Sequence, residues 1–252
     1  MSEADEPIHA LLADLSQLPA DGTLVDLGCG AGPTLTAMSR RHPRARLVGL
    51  DRSAAALSTA RTRLTEHGRG VQLVQADLRR PLPLAGGCAD AVVSYNVLEC
   101  LTDPAELVRK AVRLLKVEGT LVLAHVDFDS IMVAGPPADR DRRVCHAFTD
   151  DRQPWMDHAN GRIGRALPGL VAAAGLTLQR TETLTTASTV LTGHAERRLA
   201  DMCRALLGSA ARGTTTVTAA DVTDWHAAVQ AAARDGRFFF SETVVVTVGR
   251  LT

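Results

Sequence analysis

The stretch LVDLGCGAGP, residues 24–33, sets Asp26 two positions ahead of three glycines, Gly28, Gly30 and Gly32. Glycines at such spacing form a turn that lets a ligand come close to the backbone. A helix that follows presents unpaired N–H groups and the positive end of its dipole. Asp51 closes LVGLD further along, where a carboxylate can accept from both hydroxyls of a ribose. Asp77 ends a similar run, VQLVQAD. A second group, HVDFDS at 125–130, gathers His125, Asp127 and Asp129. An imidazole and two carboxylates there can take up a proton or hold a cation. The two aspartates fall on one side of an extended chain, because side chains alternate with a period of two. With Glu99 at the neighbouring strand end, they would make a negative mouth that favours a cationic or amine-bearing molecule.

These residues need a scaffold that brings strand ends together. TLVDLGC (23–29), ARLVGLD (45–51), VQLVQAD (71–77), CADAVVSYN (88–96) and TLVLAHVD (120–127) read as short buried strands. Helices are expected between them: 33–42 opened by Pro33, 53–68 capped by Ser53 and ended by Gly68, and 104–119 opened by Pro104 and closed by Gly119. Alternating strands and helices imply a mostly parallel sheet covered on both faces. After Asp127 the rhythm breaks. Residues 128–155 read as an excursion over the sheet, 155–175 as a helix bent at Pro168, 176–186 as a strand, 194–235 as helical and 237–251 as β-rich. The expected organisation is one domain over 1–252, with a cofactor-binding core at 21–127 and substrate-covering excursions at 128–175 and 187–236.

Composition narrows the function. Lys plus Arg equals Asp plus Glu, 28 each, which argues against a polyanionic partner such as bulk nucleic acid. No apolar run is long enough to span a bilayer, and MSEADEPIHALLADL lacks a basic-then-apolar leader pattern, so a cytoplasmic protein without a membrane partner is expected. The five cysteines, 29, 88, 100, 145 and 203, include no Cys-x-x-Cys pair, which speaks against a disulfide framework or structural zinc. No complete metal ligand set is visible. The dinucleotide fingerprint Gly-x-Gly-x-x-Gly fails at its third glycine, where Pro33 stands. That weakens a nicotinamide-dependent reading.

VDLGCGAGP resembles motif I of class I S-adenosylmethionine-dependent methyltransferases. GLDRS (49–53) resembles their ribose-binding segment and VQADLRRPLPL (74–84) their adenine-binding segment. ADAVVSYNVLECL (89–101) resembles the fourth strand and its exit, and LLKVEGTLVLAHVD (114–127) the following helix end and strand. The likeness covers about residues 8–127 and is nearest the small-molecule enzymes that include the ubiquinone and menaquinone group. It implies a Rossmann-like seven-stranded sheet, mostly parallel with an antiparallel last strand, and helical lid insertions. It also implies S-adenosylmethionine as cofactor and a small-molecule methyl acceptor. The cofactor residues so implied are Asp26, Gly28, Cys29 and Gly30 for the amino-acid part and Asp51 with Arg52 for the ribose. Ala76, Asp77 and Leu78 would serve the adenine, and Ser94 and Tyr95 the region of the sulfonium. Two departures stand out: Val117 replaces a proline, and Cys100 replaces a histidine of many relatives.

The substrate side is less marked, because methyl transfer from an activated sulfur needs alignment more than a dedicated base. Tyr95, Asn96, Glu99, Asp129, Trp155 and His158 are candidate acceptor contacts, and His125 and Asp127 are the candidate catalytic pair. Trp225 and the FFF at 238–240 are further candidate lining. The acceptor expected from the carboxylates is an amine, with O- or C-methylation as the competing outcome, the more so if Arg140, Arg142 and Arg143 fold back onto the acids. A cofactor-fold protein that binds without catalysing is the alternative from a different class.

Overall fold

TLVDL is apolar on both faces, and such a strand is stable only inside a sheet with both faces covered. The computed structural model, which describes residues 7–65 and 71–252, puts it there. β1 (Thr23–Leu27) pairs in parallel with β2 (Arg46–Asp51) on one side and β4 (Ala89–Tyr95) on the other. β3 (Gln72–Gln75) continues the sheet beyond β2. Beyond β4 lies β5 (Leu115–Ala134), again parallel. β7 (Phe239–Arg250) is antiparallel to β5 and to the edge strand β6 (Thr177–Ser188). The seven-stranded order is β3-β2-β1-β4-β5-β7-β6, the mostly parallel Rossmann-like sheet expected. The strand order reverses between β1 and β4, so a crevice opens past their carboxyl ends.

Helices cover both faces. α1 (Pro7–Leu15), α2 (Pro33–Arg41) and α3 (Ala54–Thr65) bury Ile8, Leu12, Leu35, Met38, Leu57 and Ala60 against one face. α4 (Pro104–Leu114) and α6 (Leu167–Ala173) bury Leu107, Ala111, Leu167 and Val171 against the other. Local signals set the starts. Asp103 accepts from the Glu106 N–H ahead of Pro104, and Ser53 accepts from the Ala56 N–H ahead of α3. Gly68, the expected stop of α3, lies outside the described residues.

Three boundaries differ from the sequence reading. α4 ends at Leu114 rather than at Gly119, because Leu115 already pairs with Ala89 of β4. Glu118 then turns the chain at φ 64° and forms an ion pair with Arg250 at 2.8 Å. Residues 128–134 extend β5 after a bulge between Asp127 and Met132, where an excursion was expected. The 155–175 helix shrinks to a 3-10 turn (Ile163–Ala166) and α6, with Pro168 in the first turn and not at a bend.

α5 (Ala138–Thr149), α7 (Gly193–Arg212) and α8 (Ala219–Arg234) pack on one another over the far end of β5 and β7. They have their own apolar core, built on Val144, Leu199, Met202, Trp225, Phe238 and Phe240. Among the described residues, no helix is long and apolar enough to cross a membrane.

Candidate functional site

At the crevice the glycine turn is tied to β2: the N–H groups of Gly28 and Cys29 both donate to the Leu50 carbonyl. Gly28 has φ 84°, and a Cβ there would stand 2.3 Å from Val97 Cγ2. Gly30 has φ 51°, and a Cβ would meet nothing within 4 Å, so its bare backbone faces the open cleft. Asp51 braces this turn. Its carboxylate accepts from the Gly30 N–H at 2.9 Å and the Ser53 N–H at 2.8 Å.

The cleft has a volume of about 820 Å³ and runs from Gly28 and Gly30 past Asp51 and Arg52 to Ala76, Asp77 and Leu78. Arg79 grips Asp77 through its Nε and Nη2 and holds that carboxyl down at about 2. Through Nη1 Arg79 also binds Asp157. Arg52 donates to the Trp155 carbonyl at 2.6 Å, and its guanidinium lies 5.6 Å from the indole ring. Segment 155–157 therefore straps this cleft. Trp155, a candidate acceptor contact, lines it together with Asp51 and Asp77, because Arg52 and Arg79 draw the strap across.

A second cavity of about 270 Å³ adjoins the same turn. Asp26, Cys29, Tyr95 and Asn96 line it from the sheet side, and His194, Arg197 and Arg198 from α7. Asp26 is buried, and its Oδ2 has no hydrogen-bond partner among the described residues. Burial, then the nearby Asp51 charge, pushes its carboxyl up to about 7. An acceptor oxygen left without a donor beside an open cavity matches an ammonium group. Burial pushes the Cys29 thiol far above its usual range, so it serves as wall and not as nucleophile. Asn96 sits at φ 54°, a strained value for a non-glycine, and its Oδ1 accepts from the Val126 N–H at 2.9 Å. Ser94 does not reach either cavity: its hydroxyl donates to the Leu27 carbonyl across β4 and β1.

The expected negative mouth is absent as drawn. Glu99 and His125 bond to each other at 2.6 Å inside the core, and neither lines either cavity. Burial alone would raise the Glu99 carboxyl, but the His125 charge and bond hold it low. The other His125 ring nitrogen meets the Val126 carbonyl at 2.6 Å. Asp127 and Asp129 do share a side, as their spacing predicts, and share a partner there. Arg165 binds Asp127 at 2.6 Å and Asp129 at 3.0 Å, and Arg162 adds a second contact to Asp129 at 3.2 Å. The neutralising arginines come from the turn before α6. Arg140 and Arg143 pair elsewhere, with Asp224 and with Asp139 and Asp221. The amine expectation loses its basis with these pairs. His158 is exposed, and its backbone N–H donates to the Cys100 carbonyl. Trp225 and Phe240 belong to the helical core, not to a cavity wall. No group of three or more His, Cys, Asp or Glu side chains among the described residues could hold a metal ion.

His9, Arg79, Val97, Asp157, His194, Arg197 and Arg198 line the cavities without having been singled out from the sequence. One signal was present: His194, Arg197, Arg198 and Asp201 recur at three- and four-residue steps, which places them on one helix face.

Residues 25–123 match the family model described as "Methyltransferase domain". The chain is 33% identical to an uncharacterized 37.1 kDa protein in transposon TN4556 of Streptomyces fradiae, over 66% of this chain and 46% of that protein. It is likewise 33% identical to the trans-aconitate 2-methyltransferase of Azoarcus sp., over 68% of this chain and 61% of the relative. Thus the match spans about half to three fifths of the length of these curated relatives. A solved structure from Bacillus halodurans, provisionally assigned as a methyltransferase, superposes with TM-score 0.65 at 18% identity, covering 96% of this chain and 97% of that one. Residues 25–123 are thus similar to a methyltransferase domain, and the whole sheet has the fold of the solved structure, in line with the class I S-adenosylmethionine-dependent methyltransferases that the glycine turn and strand-end aspartates resemble.

Proposed function

We propose that the protein transfers a methyl group from S-adenosylmethionine to a small acceptor that bears a carboxylate. The observation that carries the cofactor half is the orphaned Asp26 oxygen in a cavity continuous with the glycine turn. Asp26 would pair the ammonium of the cofactor's amino-acid end, and the backbone at Gly28 and Gly30 would lie against it. Asp51 would take the ribose hydroxyls with the lone pairs its two N–H bonds leave. Asp77 and the Leu78 backbone would meet the adenine edge, and Trp155 with Arg52 would close over it. When bound, S-adenosylmethionine supplies a methyl group on a positively charged sulfur, which leaves readily. The chain's work is then to align the acceptor, exclude water and keep the methyl path straight. Tyr95 and Asn96 stand at that meeting point, where both cavities touch Asn96.

The acceptor reading follows from the hydrogen-bond donors of the second cavity. Its α7 wall presents the N–H donors of His194, Arg197 and Arg198 beside the acceptor Asp201, and directed donors of this kind suit the oxygens of a carboxylate. The Azoarcus relative, named for trans-aconitate, supports the same class. Calorimetric titration with S-adenosylhomocysteine and with NAD tests the cofactor: the first should bind and the second should not. Transfer of labelled methyl to a panel of carboxylates, amines and phenols tests the acceptor. Binding of S-adenosylhomocysteine with no transfer to any carboxylate would favour the non-catalytic reading.

A further inference from the structure

The second cavity holds one arginine that the fold fixes unusually firmly. Arg198 rises from α7, and its guanidinium forms a fork with Glu242: Nε meets Oε2 at 2.6 Å and Nη2 meets Oε1 at 3.2 Å. His194, one turn earlier, reaches the same Oε1 at 2.6 Å. The face of the guanidinium lies 5.3 Å from the Phe128 ring. One edge and one face are thereby locked.

Glu242 is the unexpected partner. It sits in β7, between β5 and β6, with 2% of its side chain exposed. A carboxylate there is costly unless it is paired, and apolar packing would hold α7 on the sheet as well or better. Burial alone would raise its carboxyl, yet the charges of Arg198 and His194 hold it down at about 2. Among the described residues its carboxylate bonds to His194 and Arg198 of α7, and it lines neither cavity. The arrangement thus has an outer layer at the cavity, His194 and Arg198, and an inner carboxylate that orients both.

A guanidinium has five N–H donors in one plane. The Glu242 fork uses the Nε and Nη2 edge, so the Nη1 and Nη2 edge keeps two parallel donors with the spacing of a carboxylate's two oxygens. Arg198 lines the cavity beside Tyr95 and Asn96, at the exit of β4, where the acceptor must stand for the reading above to hold. We propose that Arg198 anchors an acceptor carboxylate through this outer edge, and that Glu242 is the positioning residue that gives the cavity its selectivity for carboxylates. This rests on the methyl-transfer reading given above. Glu242 lies behind the guanidinium and offsets its charge, so recognition depends on donor geometry more than on a long-range field. The cavity of about 270 Å³ limits the anchored molecule to a small acid. The same carboxylate chemistry exists on the amino-acid end of the cofactor, and the two sources separate in binding.

The test titrates protein saturated with S-adenosylhomocysteine against succinate, trans-aconitate and benzoate, and against their amides. At least one acid should bind and its amide should not. Arg198→Lys keeps the charge but loses the fork, and should weaken that acid at least tenfold while S-adenosylhomocysteine affinity stays within twofold. Glu242→Gln should do the same, and Glu242→Asp should restore part of the affinity. In turnover, Arg198→Lys should raise the acceptor KM more than it lowers kcat. Equal loss of acid and S-adenosylhomocysteine binding would assign the fork to the cofactor or to the fold, and overturn the proposal. So would unchanged acid binding in Arg198→Lys, or no acid binding in the wild type. Failure of S-adenosylhomocysteine to bind the wild type would remove the methyl-transfer reading itself, and this proposal with it, whereas the other failures leave that reading standing.

Discussion

The cleft proposed for the cofactor and the cavity wall proposed for the acceptor are built by opposite means. In the first, each lining residue lies within a few positions of a strand end: Asp26 near the end of β1 and the glycines after it, Asp51 ending β2, Asp77 just after β3 and Asn96 after β4. Parallel strands in fixed order bring these ends together without help from distant packing. On the acceptor side, one arginine draws on Phe128 of the β5 bulge, His194 of α7 and Glu242 of β7. A backbone-built site tolerates change around it but not at its turn. A side-chain-built site depends on several elements being docked at once.

The sharpest way to break that contrast is at the turn. Gly28→Ala would set a Cβ 2.3 Å from Val97 Cγ2 at φ 84°. It should lower thermal stability and weaken S-adenosylhomocysteine binding at least tenfold, with strain alone worth ~1–3 kcal/mol. Gly30→Ala, which meets no protein atom within 4 Å but still strains the backbone at φ 51°, should cost less stability than Gly28→Ala and still lose binding. Unchanged S-adenosylhomocysteine binding in Gly30→Ala, measured by calorimetry, would mean that the turn is not a ligand surface.

Asp26→Asn separates binding from folding. Burial raises the native carboxyl from 3.8 to about 7, so the unfolded chain gives up this proton more readily. Its contribution to stability is therefore lost as pH rises from about 4 to 7 and is flat above. The apo variant should melt higher than the wild type at pH 8 by an amount worth roughly 1–4 kcal/mol, and the gain should vanish near pH 4. Its affinity for S-adenosylhomocysteine should fall about tenfold at pH 8. In the wild type that affinity should strengthen as pH rises toward 7, because an ammonium partner needs the ionised acid; His9, His194, Arg197, Arg198 and Asp201 share the cavity and shape the rest of the profile.

A smaller effect is expected at the strap. The chain has two tryptophans, and Trp225 is buried in the helical core while Trp155 is 53% exposed at the cleft. S-adenosylhomocysteine should change the emission of Trp155, and Trp155→Phe should abolish the change. Trp155→Ala should weaken binding by a few fold, in line with a cation–π contact of about 0.5–1 kcal/mol. Smallest of all is Asp127→Asn. Its pair with the half-exposed Arg165 is worth about 1 kcal/mol or less, so melting should shift little and turnover on any accepted substrate should hold. A large loss of turnover would place Asp127 in the machinery after all, and blur the line between the two sides.

What the sequence determined by itself is the cofactor side. Buried strands announce themselves as apolar runs, glycine is demanded where φ is positive, and an acid at a strand end sits near the crevice whatever the rest does. Asp26, Gly28, Gly30, Asp51 and Asp77 were legible for that reason. The acceptor side was decided only in three dimensions. HVDFDS looked like a charged mouth because a local stretch cannot show that Glu99 lies against His125, or that Arg162 and Arg165 return from more than thirty residues away to meet Asp127 and Asp129. In the same way HAERRL reads as an ordinary polar helix face, and FSET as part of a strand. Glu242 and Arg198 meet because β7 runs between β5 and β6 and α7 docks over that end of the sheet. Charge at a site is a sum over whatever packing brings within a few ångströms, and that sum is not contained in any one segment of chain.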